Sequence, residues 1–147
     1  MRLYTALVIL ALAACGTGPH PRDTLRPIGL EGWSEVVQRS VDTWANALGP
    51  KCPRYFVAER GRFYVKLVST YDWHYTATGR YNPGKGILIR GDRITGRQRQ
   101  LIHELGHGIF GNWHSLNPRS IMYPQPTVNE PSPEDIWRAR RKLHCEP

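Results

Sequence analysis

The chain has 147 residues and a formal net charge of +8, from 20 lysines and arginines against 12 acidic residues. That length is enough for one domain with a real core. The basic residues are scattered and carry no recognition motif, which argues against specific nucleic-acid binding; the excess suits a solvated surface, anionic lipid or cell-wall polymer, or acidic substrates.

Met1-Arg2 gives a short positive start, and Leu3 to Ala14 is an almost unbroken apolar run. About 12 residues cannot cross a bilayer that needs ~20, so the run reads as the core of a signal peptide. It ends in Leu12-Ala13-Ala14-Cys15, which resembles a bacterial lipobox. The resemblance implies cleavage before Cys15, lipidation of that residue, and attachment to the bacterial cell envelope without a transmembrane span. Residue 16 is glycine rather than aspartate, so in a Gram-negative host the outer membrane is the expected location. The alternative is secretion after Ala14, with Cys15 unmodified. Gly16 to Pro27, rich in Gly, Pro and polar residues, reads as a flexible tether. The organisation is thus 1–14 leader, 15–29 lipidated cysteine and tether, and 30–147 folded domain.

From Ser34 to Leu48 the residues Val36, Val37, Val41, Trp44, Ala45 and Leu48 recur at helical spacing, and Gly49-Pro50 stops the pattern. Tyr55 to Glu59 and Arg62 to Ser69 are β-rich runs that read as a hairpin across Arg60-Gly61. Tyr71 to Tyr81 is aromatic and irregular, and Asn82-Pro83-Gly84 makes a turn before a strand from Gly86 to Arg90. Arg90-Gly91-Asp92 reads as that strand's end and a turn. From Thr95, a plausible N-cap, to Phe110 no proline occurs, and Leu101, Ile102, Leu105 and Ile109 mark one helical face. Gly111 stops it. A proline-rich loop from Gln125 to Pro133 precedes a last helix, with Ser132 as N-cap and Glu134 and Asp135 near its positive end. Its C-terminal half, with Arg138, Arg140, Arg141 and Lys142, is basic.

The chemistry gathers on the helix before Gly111. His103-Glu104-Leu105-Gly106-His107 places two imidazoles about 40° apart around the axis, opposite the apolar stripe, where both reach one metal ion. The intervening Glu104 can take a proton from a water on that metal. Gly106 and Gly108 each weaken a helix interior by up to ~1 kcal/mol, which suggests that close packing around the site needs them. His114 follows, and then Ser120-Ile121-Met122-Tyr123-Pro124.

Together these residues resemble the metzincin clan of zinc peptidases, and most of all its matrixin-like members. The resemblance implies an α+β domain with three main helices and a short twisted mixed sheet. It implies one catalytic zinc ion held by His103, His107 and His114, with Glu104 as general base. Met122 would form an apolar floor beneath the metal without ligating it. It also implies that an edge strand just before the helix, here Ile87, Leu88 and Ile89, pairs with a protein or peptide substrate; the alternative is a fully internal strand. The clan pattern is HExxHxxGxxH, whereas Gly111 and His114 each stand one residue late here. A longer helix or wider turn absorbs that residue, or His114 misses the metal. With 12 acidic residues and no dense acidic loop, the structural calcium sites of many matrixin-type domains are not expected.

Lipidation of Cys15 leaves Cys52 and Cys145, an even pair that invites a disulfide in an exported chain. His20, His74 and His144 lack partners at ligand spacing and read as surface or satisfied histidines. Asn129-Glu130 lies where gluzincin-type peptidases place a glutamate ligand, but Pro131 and Pro133 oppose a helix around it. The reading that follows is a monomeric zinc endopeptidase tied to the membrane through lipid. The alternative from another class is a lipid-anchored binding protein with a structural metal, in which a fourth ligand such as His74 or Glu130 closes the site.

Overall fold

Trp33–Leu48 winds into a helix, α1, as its apolar spacing predicts, and Val37, Val41, Trp44 and Leu48 are all buried. The computed structural model describes residues 23–27, 33–52, 54–57, 63–69, 78–83, 85–91 and 97–145. Cys15, His20, His74 and Thr95 lie outside them. No helix among the described residues is long and apolar enough to cross a membrane.

Five strands stand in the order β2-β1-β3-β5-β4. They are β1 (Asp23–Pro27), β2 (Phe56–Val57), β3 (Phe63–Val68), β4 (Gly79–Asn82) and β5 (Gly86–Arg90). β3 and β5 run parallel, β4 is antiparallel to β5, and with three helices the domain is α+β with a mixed sheet.

The sheet corrects three expectations. Asp23–Pro27, assigned to the tether by composition, is a strand whose ladder bonds to two neighbours override a weak local preference. β2 and β3 do not form a hairpin: both run parallel to β1, which lies between them, and a hairpin requires antiparallel neighbours. β5, which carries Ile87, Leu88 and Ile89, is not an edge strand. It is hydrogen-bonded on both sides, and Ile87 and Ile89 are fully buried. Among the described residues the outer place beside β5 belongs to β4, which overlaps the stretch that seemed irregular. The turn at Asn82, closed by Lys85 N–H on Asn82 O at 3.0 Å, folds β4 back along β5.

The second helix, α2 (Gln98–Phe110), buries Leu101, Ile102, Leu105 and Ile109 as expected, although its N-cap is Arg97 with no side-chain cap bond. α1 and the segment before β2 fix it by hydrogen bonds to helix carbonyls: Trp44 Nε1 donates to Ile102 O (2.8 Å) and Tyr55 Oη to Gly108 O (3.1 Å). Both bonds are buried, where a lost partner is expensive. The glycines of α2 admit packing partners rather than the metal itself. A Cβ on Gly106 would collide with Met122 Sδ, and one on Gly108 would stand 2.5 Å from the Phe56 ring.

The third helix, α3 (Pro133–Lys142), starts at Ser132, the N-cap expected from the sequence, and closes a full capping box, Ser132 and Asp135 exchanging bonds with each other's backbone. Cys52, after α1, and Cys145, after α3, form a disulfide with Cα atoms 5.0 Å apart.

Candidate metal centre

α2 turns His103 and His107 into a cleft of about 580 Å³ that Gly79, Tyr81, Glu104 and His114 also line. The helix runs one residue longer than the clan spacing and ends at Gly111, whose φ of 69° is a left-handed value that a side chain would resist. Gly111 N–H closes on His107 O at 2.8 Å, and the chain reverses. His114 thereby returns to the other two imidazoles, its ring centroid 5.3 Å from that of His103 and 4.7 Å from that of His107. One ligand atom from each of the three histidines lies within 4.8 Å of the others. The extra residue is absorbed by helix and turn, and His114 is not lost to the site.

The imidazoles are oriented from behind. His103 Nδ1 lies 2.7 Å from Ile121 O, and His107 Nδ1 lies 2.7 Å from Gly111 O. A carbonyl oxygen only accepts, so each Nδ1 carries the proton and each Nε2 offers a lone pair. The two Nε2 atoms face each other at 3.1 Å. With both protons held at Nδ1, neither can donate to the other, and two facing lone pairs repel unless a cation lies between them. Zinc–nitrogen bonds of ~2.0–2.1 Å in a tetrahedron set nitrogens about 3.3 Å apart, close to the spacing here. The donor set therefore fits a metal ion.

Burial lowers the His103 pKa to about 4; its bond to Ile121 opposes this, and His107 and His114 add to it. Burial also lowers His107 and His114. All three rings are thus kept neutral, the form that ligates. Glu104 points beside them but is not part of the three-histidine group. Burial raises its carboxyl to about 8, against a stabilising backbone hydrogen bond from Tyr81. Its carboxylate rests on Gly79 of β4, where an added Cβ would strike Oε1 and stand 2.8 Å from Cγ.

Met122 is fully buried, packed against Gly106 of α2. Its segment is held by a group that the sequence reading credited only with helix-end electrostatics. Asp135, fully buried, accepts from Ser120 Oγ (2.6 Å) and Ile121 N–H (3.1 Å), and from the Ser132 N–H (2.8 Å) and Oγ (2.7 Å). Ser120 Oγ in turn accepts from Met122 N–H at 2.9 Å. The line from α3 to the metal centre therefore runs Asp135, Ile121, His103. The capping-box spacing marks Asp135, but nothing local reveals its second partner segment. Gly79 was missed as well, since its role appears only when β4 meets α2.

Glu130 sits exposed in the loop before α3, outside the three-histidine group, so the gluzincin-type ligand is not supported. His144 is exposed beyond α3, and Arg90-Gly91 is a strand end followed by a bend, as read. No protein-family model matches this chain, and no curated protein matches it significantly.

Proposed function

We propose that this chain is a zinc-dependent endopeptidase displayed at the bacterial cell envelope. One observation carries the reading: three neutral imidazoles converge in an open cleft beside a buried glutamate. His103, His107 and His114 would hold the ion. Zinc bound there supplies Lewis acidity toward a carbonyl and makes water acidic enough to ionise near neutrality.

The chain's own residues do the rest. β4 pairs with β5 and lines the cleft in which a peptide substrate would lie, and its Tyr81 backbone donates to Glu104. Glu104, buried and close to the imidazoles, takes a proton from the attacking water and delivers it to the leaving amine. Support for the envelope comes from Leu12-Ala13-Ala14-Cys15, and lipidation of Cys15 is part of the proposal, as is a monomeric state.

Glu104→Gln keeps all three imidazoles and removes the base. It is expected to retain zinc while peptide hydrolysis drops by roughly 10²–10⁴-fold, the usual contribution of general acid–base catalysis. A chelator should abolish wild-type cleavage of a peptide library, and zinc should restore it. Full activity in the glutamine variant, or chelator-resistant cleavage, refutes the assignment.

A further inference from the structure

α3 carries a feature that the metal centre does not use. Trp137 is 53% exposed, unusual for an indole on a packed helix. With Arg138, Arg141 and Lys142 it falls within about 140° of the helix circumference, and just beyond Lys142 the helix turns inward, where Asp135 and Ala139 are fully buried. The guanidinium of Arg138 lies 4.7 Å from the Trp113 ring centroid, and that of Arg141 lies 4.8 Å from the Trp137 centroid. Two indoles each carry a cation on one face, and with Phe110 and Lys142 they border an open depression of about 340 Å³.

We propose that this face of α3 docks onto a bilayer bearing anionic phospholipid headgroups. An indole settles at the boundary between water and hydrocarbon, with its ring in the apolar side and its N–H in the wet side. Cations on flexible stems around it meet headgroup phosphates, each strengthening attachment about fivefold near an anionic surface. Arg138 is balanced by Glu134 at 3.0 Å, so the main increment is assigned to Lys142, on a chain of net charge +8. An acidic peptide fits less well. The depression is open and its cations surround a protruding apolar ring, whereas a peptide side chain needs an enclosed pocket with fixed donors. Trp113 immediately precedes His114, so a docked surface would hold the three-histidine cleft close to the membrane. The inference requires neither hydrolysis nor lipidation of Cys15.

The test measures partition of the full-length chain onto vesicles of phosphatidylcholine alone and of phosphatidylcholine with roughly one-third phosphatidylglycerol, an anionic surface. The apolar N-terminal run acts alike in every variant, so the ratio between the two vesicle types isolates the patch. Lys142→Gln is expected to lower that ratio by about fivefold, and Arg141→Gln with Lys142→Gln, a double variant, by at least as much. Arg141→Lys should preserve the ratio, and high salt should erase it in the wild type. Trp137→Phe should remove most of the tryptophan quenching by brominated anionic lipid, which decides the matter even if the double variant misfolds. An unchanged ratio with unchanged quenching overturns the proposal. So does patch-dependent binding to soluble polyglutamate without any preference for anionic vesicles, which would point to an acidic chain as the partner.

Discussion

Gly79 has no side chain, and Glu104 occupies the space where one would stand. A methyl group there would press on the carboxylate oxygen and on Cγ at 2.8 Å, and Glu104 is buried with little room to retreat. Gly79→Ala is therefore expected to move the base without touching the imidazoles. A displacement of about an ångström costs on the order of 10²-fold in rate. The prediction is a fall of that size in kcat/KM with zinc stoichiometry unchanged; equal activity would show that Glu104 has no fixed place to keep. The contrast with the histidines explains what the sequence could and could not reveal. His103, Glu104 and His107 are set by helical spacing alone, which any reader of the chain can compute. His114 depended on where α2 ends, and so on the left-handed turn at Gly111. Gly79 depended on β4 approaching α2 from 25 residues upstream, and no local pattern encodes that approach.

Among the elements, helices were legible and strands much less so. α1, α2 and α3 show a 3.6-residue period backed by stop signals or caps, whereas β1 and β2 take their partners from distant chain and have no period of their own. The inner position of β5 followed from β4, a strand without an apolar signature. The segment Ser120 to Met122 is irregular, and side-chain bonds supplement a few backbone bonds such as Ser115 N–H to Met122 O at 2.9 Å. From α3, Asp135 accepts four hydrogen bonds, two from that segment and two from Ser132. Asp135→Asn keeps the size of the side chain but turns an amide NH₂ toward groups that donate. Buried donors left without an acceptor cost about 1–3 kcal/mol each, so a loss of about 3–5 kcal/mol in urea unfolding is expected. Ile121 O would then hold the His103 ring less firmly, and zinc affinity in a competition titration should fall by roughly 10–100-fold. Wild-type affinity in a destabilised Asp135→Asn protein would break the proposed line from α3 to the metal.

At the scale of the molecule, the disulfide and the three-histidine cluster lie in different parts of one fold. Cys52–Cys145 was readable by counting, because setting aside Cys15 of the lipobox-like run leaves an even pair. It spans 93 residues and fastens the end of α1 to the end of α3, so in the chain-entropy model it contributes about 4–5 kcal/mol. A domain of this kind has only about 5–15 kcal/mol in total, so its loss consumes much of the margin. The ligands, by contrast, are borne by α2 and the turn that follows it, between His103 and His114. A metal at a hundred times its dissociation constant adds about 2.7 kcal/mol to the folded state. Cys52→Ser with Cys145→Ser should therefore lower Tm strongly in the presence of chelator, and saturating zinc should return part of the loss but not all. Below the new Tm the variant should still bind one zinc, since neither cysteine touches the ligand set. If zinc binding vanished together with the disulfide in protein that remained folded, the cage would depend on the chain ends, and the placement of the site on α2 and its turn alone would be wrong.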